Sequence, residues 1–181
     1  MRLSDIPAPA WALLGVLAGW VLGEGTRWVR EIFRIRKLSA ALRSDLISLL
    51  AQIKDKEDIL LQGIQALKSK AVMPMLSVRS VRIGYGEFIK ELYPHYSDLE
   101  RNCLHVIYER LRVADEVMES AHTDLLSKLK DGVLAEPWSA HIGHLEELLA
   151  SYDVVENLIK SFLNGKPEDV FHIAERVKAD R

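Results

Sequence analysis

Apolar positions in this chain recur every three to four residues almost throughout, the mark of amphipathic α-helices. One stretch departs from that pattern by being apolar on every side. From Ile6 to Gly23, eighteen residues carry no charge. As a helix they would span about 27 Å, close to the roughly 30 Å hydrocarbon core of a bilayer. Pro7 and Pro9 stand at its start, where first-turn amides lack intrahelical partners in any case. Trp11 near one end, with Trp20 and Trp28 toward the other, suits side chains that prefer the headgroup zone. The pattern predicts a transmembrane anchor within residues 1–26.

Residues 27–40 form a basic neck in which Trp28, Ile32 and Ile35 share one helical face among Arg27, Arg30, Arg34, Arg36 and Lys37. The apolar register then continues through Leu42, Leu46, Leu49, Ile53, Leu60 and Leu67, with Ser39, Lys56 and Gly63 as interruptions. No proline occurs between Pro9 and Pro74, so one helix is expected from the anchor to about Lys70. Its 4,3 spacing permits a coiled coil between copies. Leu38, Leu50, Leu61 and Ile64 widen the apolar face beyond a strict seam, which favours packing within the chain.

Beyond Pro74, residues 77–86 read as a brief helix or irregular loop, and Glu87–Leu92 as one or two helical turns stopped by Pro94. Ser97 answers Glu100 three residues on, a capping box, and opens a helix whose stripe includes Leu99, Cys103, Val106, Ile107, Leu111, Ala114, Val117, Met118, Ala121 and Leu125, with Gly132 placed to end it. Pro137 opens another helix, from Trp138 through Phe162, closed by Asn164-Gly165, and Pro167 with Glu168 and Asp169 begins a last short one through Val177. No alternating strand pattern bounded by hairpin turns occurs. The expected fold is all-α: an N-terminal transmembrane helix continuing into a cytoplasmic antiparallel bundle of about four helices in residues 41–181.

Charge sharpens this division. Residues 1–40 carry a net +3 and residues 41–181 a net -5, for -2 over 181 residues. A basic neck on an acidic body suits a membrane surface, and the near-neutral total argues against a nucleic-acid partner. Val21-Leu22-Gly23 resembles a signal-peptide cleavage position, and a buried core helix is another reading of the same run. The arginines immediately downstream resist translocation, so a retained anchor is expected, N-terminus outside and the remainder cytoplasmic, as in a bacterial inner membrane. Gly15, Gly19 and Gly23 form two overlapping GxxxG units on one face, which allows close pairing of helices in lipid.

Chemistry-bearing patterns are sparse. The single cysteine, Cys103, cannot form an intramolecular disulfide and lies in an apolar register, as a buried structural thiol would. Glu119 with His122, and Asp169 with His172, are carboxylate–imidazole pairs three apart, half of a two-metal carboxylate site; Glu57, Glu109 and Glu146 are the further ligands such a site would draw on. His141 and His144 share a face at i, i+3, and Arg79, Arg82, Arg101, Arg110 and Arg112 would need to converge to hold an anion. No nucleophile elbow, zinc cysteine pairs or phosphate loop occurs. The reading is therefore a non-enzymatic, single-pass scaffold without a cofactor, bound to the bilayer and to its own copies or to a membrane or cytoplasmic protein. The alternatives are an oligomeric membrane-perturbing effector and a carboxylate/His metal enzyme.

Overall fold

The computed structural model describes residues 8–73, 79–130, 133–134, 137–167 and 170–179, and the chain divides into two units, Met1–Ala40 and Ala41–Arg181. Helix α1 covers Ala8–Lys68, α2 Ile83–Leu92, α3 Asp98–Lys128, α4 Trp138–Leu163 and α5 Val170–Ala179. The all-α expectation holds, with one addition. A two-residue antiparallel ladder, β1 (Leu129–Lys130) with β2 (Val133–Leu134), follows α3. Two residues per strand are too few to show alternation in a sequence, so no strand was legible there.

In the unit Ala41–Arg181 the heptad-like positions of α1 are spent inside the chain. Leu42, Leu46, Leu49, Ile53, Leu60, Ile64 and Leu67 are buried, which uses up the seam that an intermolecular coiled coil would need. Leu104, Ile107, Leu111 and Met118 of α3 and Leu148, Tyr152, Val155, Leu158 and Ile159 of α4 are buried as well and complete the core. Leu99, placed on the α3 stripe by spacing, is instead exposed, whereas Leu104 and Tyr108, off that stripe, are buried. Because α3 is covered by neighbours on more than one side, its buried arc is wider than a single 3–4 ladder.

Long-range bonds set the helix directions. Tyr108 donates to Asp45 at 2.7 Å and Lys56 pairs with Asp115 at 3.0 Å, so α1 and α3 run parallel. Arg43 donates to the Leu163 carbonyl at 2.7 Å and Lys68 meets Glu146 at 3.5 Å, so α4 runs against α1. A parallel pair needs a return leg, and the chain from Arg79 to His95 supplies it as four residues without regular structure, α2 and a 3-10 turn at Tyr93–His95. Along this leg Arg79 meets Glu119, Ser80 meets Asp115 and Tyr85 meets His105, an antiparallel course along α3. The bundle is thus three long helices with a second leg built on the short helix α2, and α5 packs on α4.

Local signals account for the ends. Ser97 and Glu100 form the reciprocal capping box: the Ser97 amide donates to Glu100 at 2.8 Å and the Glu100 amide to the Ser97 hydroxyl at 3.3 Å. Helices α1 and α4 both close by a Schellman motif. In α4, Gly165 takes φ +69° and the Lys166 amide reaches back to Ser161. In α1 the same position holds Lys70 at φ 56°, with the Ala71 amide on Ala66. The helix therefore stops ahead of Pro74, which lies outside the described residues. A side chain in the left-handed region is strained where glycine is not. Lys70→Gly is expected to stabilise the bundle by about 1 kcal/mol, read as a raised urea midpoint; an unchanged or lowered midpoint would contradict that strain.

Candidate functional site

In the unit Met1–Ala40, α1 shows apolar side chains around its circumference. Leu13, Leu14, Val16, Leu17, Trp20, Val21 and Leu22 are all exposed, Val16 by 72% and Leu22 by 71%. At about 100° per residue these positions surround the axis except for the arc taken by Gly15, Gly19 and Gly23. A helix apolar all round normally belongs inside a core or a membrane, and a contiguous uncovered patch of this kind marks a contact surface. Among the described residues no helix is long and apolar enough to cross a membrane. The uncharged run begins at Ile6, ahead of the first described residue, and the described part of α1 alone gives the expected span no support.

Gly15, Gly19 and Gly23 lie in this segment with nothing within 4 Å of where a Cβ would stand. Among the described residues no partner helix occupies their face. The neck follows, with Arg27 on Glu24 at 3.1 Å and Arg34 on Glu31 at 3.8 Å, both pairs exposed. Arg30, Arg36 and Lys37 are also exposed, and Arg30, Phe33, Arg34, Lys37 and Leu38 line a shallow groove of about 480 Å³.

Among the described residues the metal candidates do not assemble. Glu119 is held by the Arg79 guanidinium at 2.6 and 2.9 Å, and His172 is exposed. The His122 side chain and Asp169 lie outside the described residues. Glu109 pairs with Arg112 and Glu146 with Lys68. Among the described residues no three His, Cys, Asp or Glu side chains could share a metal ion. His141 and His144 instead edge a cavity of about 310 Å³ with Leu67, Asp124, Lys128 and Leu145. The arginines do not converge on an anion either: Arg79 binds Glu119, Arg101 sits 3.4 Å from Asp98 and over the Tyr93 ring, and Arg112 bridges Glu109 and Glu116. Cys103 is buried, and burial pushes its thiol up to about 11, far from a reactive thiolate.

Sequence spacing missed the most distinctive polar cluster. Lys56 and Asp115, 4% and 3% exposed, pair at 3.0 Å in the core. Asp115 also accepts the Ser80 amide at 2.8 Å, the Ser80 hydroxyl at 3.2 Å and the Tyr152 hydroxyl at 3.2 Å. The cluster thereby joins α1, the return leg, α3 and α4. Burial, and then the Asp115 carboxylate, hold the Tyr152 phenol above its ordinary range, so it stays a neutral donor. With its carboxylate consumed by four internal donors, the cluster is a clasp rather than a reactive centre. The available signal was a lysine in an apolar register, read as an interruption.

A second cluster lies between α1 and α4. Glu57 is half-buried, and its carboxyl is pushed up to about 7, first by loss of solvent and then by the Glu156 and Asp153 carboxylates, against the pull of Lys160. The folded chain then holds this proton more tightly than the unfolded chain does. Its contribution is complete below about pH 4.5 and is lost as pH rises through about 7. Solvent screening limits the loss to about 1 kcal/mol. Glu57→Gln is expected to flatten the fall in urea midpoint between pH 5 and 8 by that amount; equal slopes in the two proteins would refute it.

The uncovered N-terminal segment of α1 with its basic neck, apolar side chains without cover among the described residues, is the candidate functional site. No protein-family model, curated protein or solved structure significantly matches the chain.

Proposed function

We propose that this chain is a single-pass, membrane-anchored helical scaffold without enzymatic activity, whose anchor self-associates and tethers the bundle to the cytoplasmic face. The observation that carries this reading is the apolar, uncovered circumference of α1 from Leu13 to Leu22, bounded by Arg27, Arg30, Arg34, Arg36 and Lys37. In water this surface is costly. In hydrocarbon it is solvated, and the full uncharged run from Ile6 supplies about the required length. The cations beyond Glu24 favour the cytoplasmic side, and the open glycine face suits a second copy of the same helix.

Fractionation with crosslinking tests the proposal. Wild type is expected in the membrane pellet as a crosslinked oligomer, and the Gly15→Leu/Gly19→Leu/Gly23→Leu variant in the same pellet as monomer. Recovery of the intact wild type in the high-speed supernatant, or export of a reporter fused after Arg181, would overturn the anchor. An unchanged crosslinking ladder in the variant would overturn pairing through the glycines.

A further inference from the structure

The groove on the neck has a chemistry more specific than topology requires. Arg30, Phe33, Arg34, Lys37 and Leu38 stand at i, i+3, i+4, i+7 and i+8, which places three cations and two apolar groups on one helical face. Phe33 is 57% exposed between them. A topology signal needs positive charge in any arrangement. Cations stacked on one face just beyond the anchor offer guanidinium and ammonium groups to the phosphates of that leaflet. We infer that the Arg30–Phe33–Arg34–Lys37–Leu38 face binds anionic phospholipid of the leaflet that the anchor enters.

This rests on the membrane-anchor reading, and the helix geometry sets its reach. Counting from Gly23, Arg30 lies about 10 Å, Arg34 about 16 Å and Lys37 about 21 Å along the axis. The headgroup layer on one side of a bilayer is roughly 5–8 Å deep, and the surface potential decays over about 8 Å at physiological salt. Side chains on a helix lean toward its N-terminus, here toward the bilayer, which brings Arg30 into the headgroups and Arg34 to their edge. The contributions therefore rank Arg30 over Arg34 over Lys37. The exposed Glu31 lies 3.8 Å from Arg34, loose enough for a lipid phosphate to compete.

The experiment uses the full chain reconstituted in phosphatidylcholine vesicles carrying trace spin-labelled phosphatidylglycerol or spin-labelled phosphatidylcholine, with the motionally restricted fraction read by electron spin resonance. Wild type is expected to prefer the anionic probe by about fivefold or more at low salt. Arg30→Gln should lower that ratio most among the single changes, and Arg30→Gln/Arg34→Gln/Lys37→Gln should lower it further. Equal association of the two probes with wild type, or an undiminished preference in the triple variant, would overturn the inference while leaving the anchor standing. Failure of the chain to float with pure phosphatidylcholine vesicles would instead bring down the anchor reading, and this inference with it.

Discussion

Replacing Asp115 with alanine is expected to cost the bundle about 3–5 kcal/mol, the typical penalty for stranding one partner of a buried ion pair. Lys56 would keep its charge in a core where its side chain is 5% exposed, and the Ser80 amide and Tyr152 hydroxyl would lose their acceptor. Domains of this size are stable by only about 5–15 kcal/mol, so the variant should unfold at a much lower urea concentration. Asp115→Asn should fall between wild type and alanine, because its carbonyl can still accept from Ser80 while Lys56 loses its carboxylate partner. Lys56→Met combined with Asp115→Leu should recover part of the loss, since an apolar pair removes both desolvation penalties but leaves the Ser80 amide unpaired. A double-mutant cycle on the urea midpoints gives the coupling directly. A coupling below about 0.5 kcal/mol would mean the two residues do not act as a pair.

The second large effect concerns the proposed anchor. Leu14→Arg puts a charge near the middle of the uncharged run and should disfavour insertion by about 2.5–3.5 kcal/mol. That corresponds to a shift in partition of roughly a hundredfold. The protein should move from carbonate-washed membranes to the supernatant. Leu14 is uncovered in the chain, as is Leu61 on the bundle part of α1. The control Leu61→Arg should therefore leave both the fold and the pellet unchanged. Equal behaviour of the two variants would remove the reason to single out the N-terminal segment.

Most of the helical architecture follows from local chemistry. Proline and glycine punctuation, the Ser97–Glu100 box and the 3–4 spacing of Leu42 to Leu67 each act within one or two turns, so they leave a readable trace in order. The ends of α1, α3 and α4 accordingly fall close to where spacing and caps place them. The two-residue ladder after α3 left no such trace. Nor did Lys70 in a left-handed cap, a position the pattern of residue types assigns to glycine.

The candidate site divides in the same way. Charge-free length, the cationic flank and the glycine stripe are properties of consecutive residues, and they are visible without any fold. The clasp is not, because Lys56 and Asp115 are 59 positions apart in the chain and a period says only that a face is covered, never by what. The carboxylate–imidazole pairs erred in the opposite direction: their spacing was suitable, but Glu119 had a closer partner in Arg79.

Order along the chain, then, was enough to specify the long helices and roughly where they end, since these depend on neighbours one to four residues distant. Whether α1 lies parallel to α3, why a lysine sits in the core, and which of the charged pairs meet were settled by packing alone. They depend on groups brought together across long loops, and a buried charge survives only where the folded neighbours supply its counterpart.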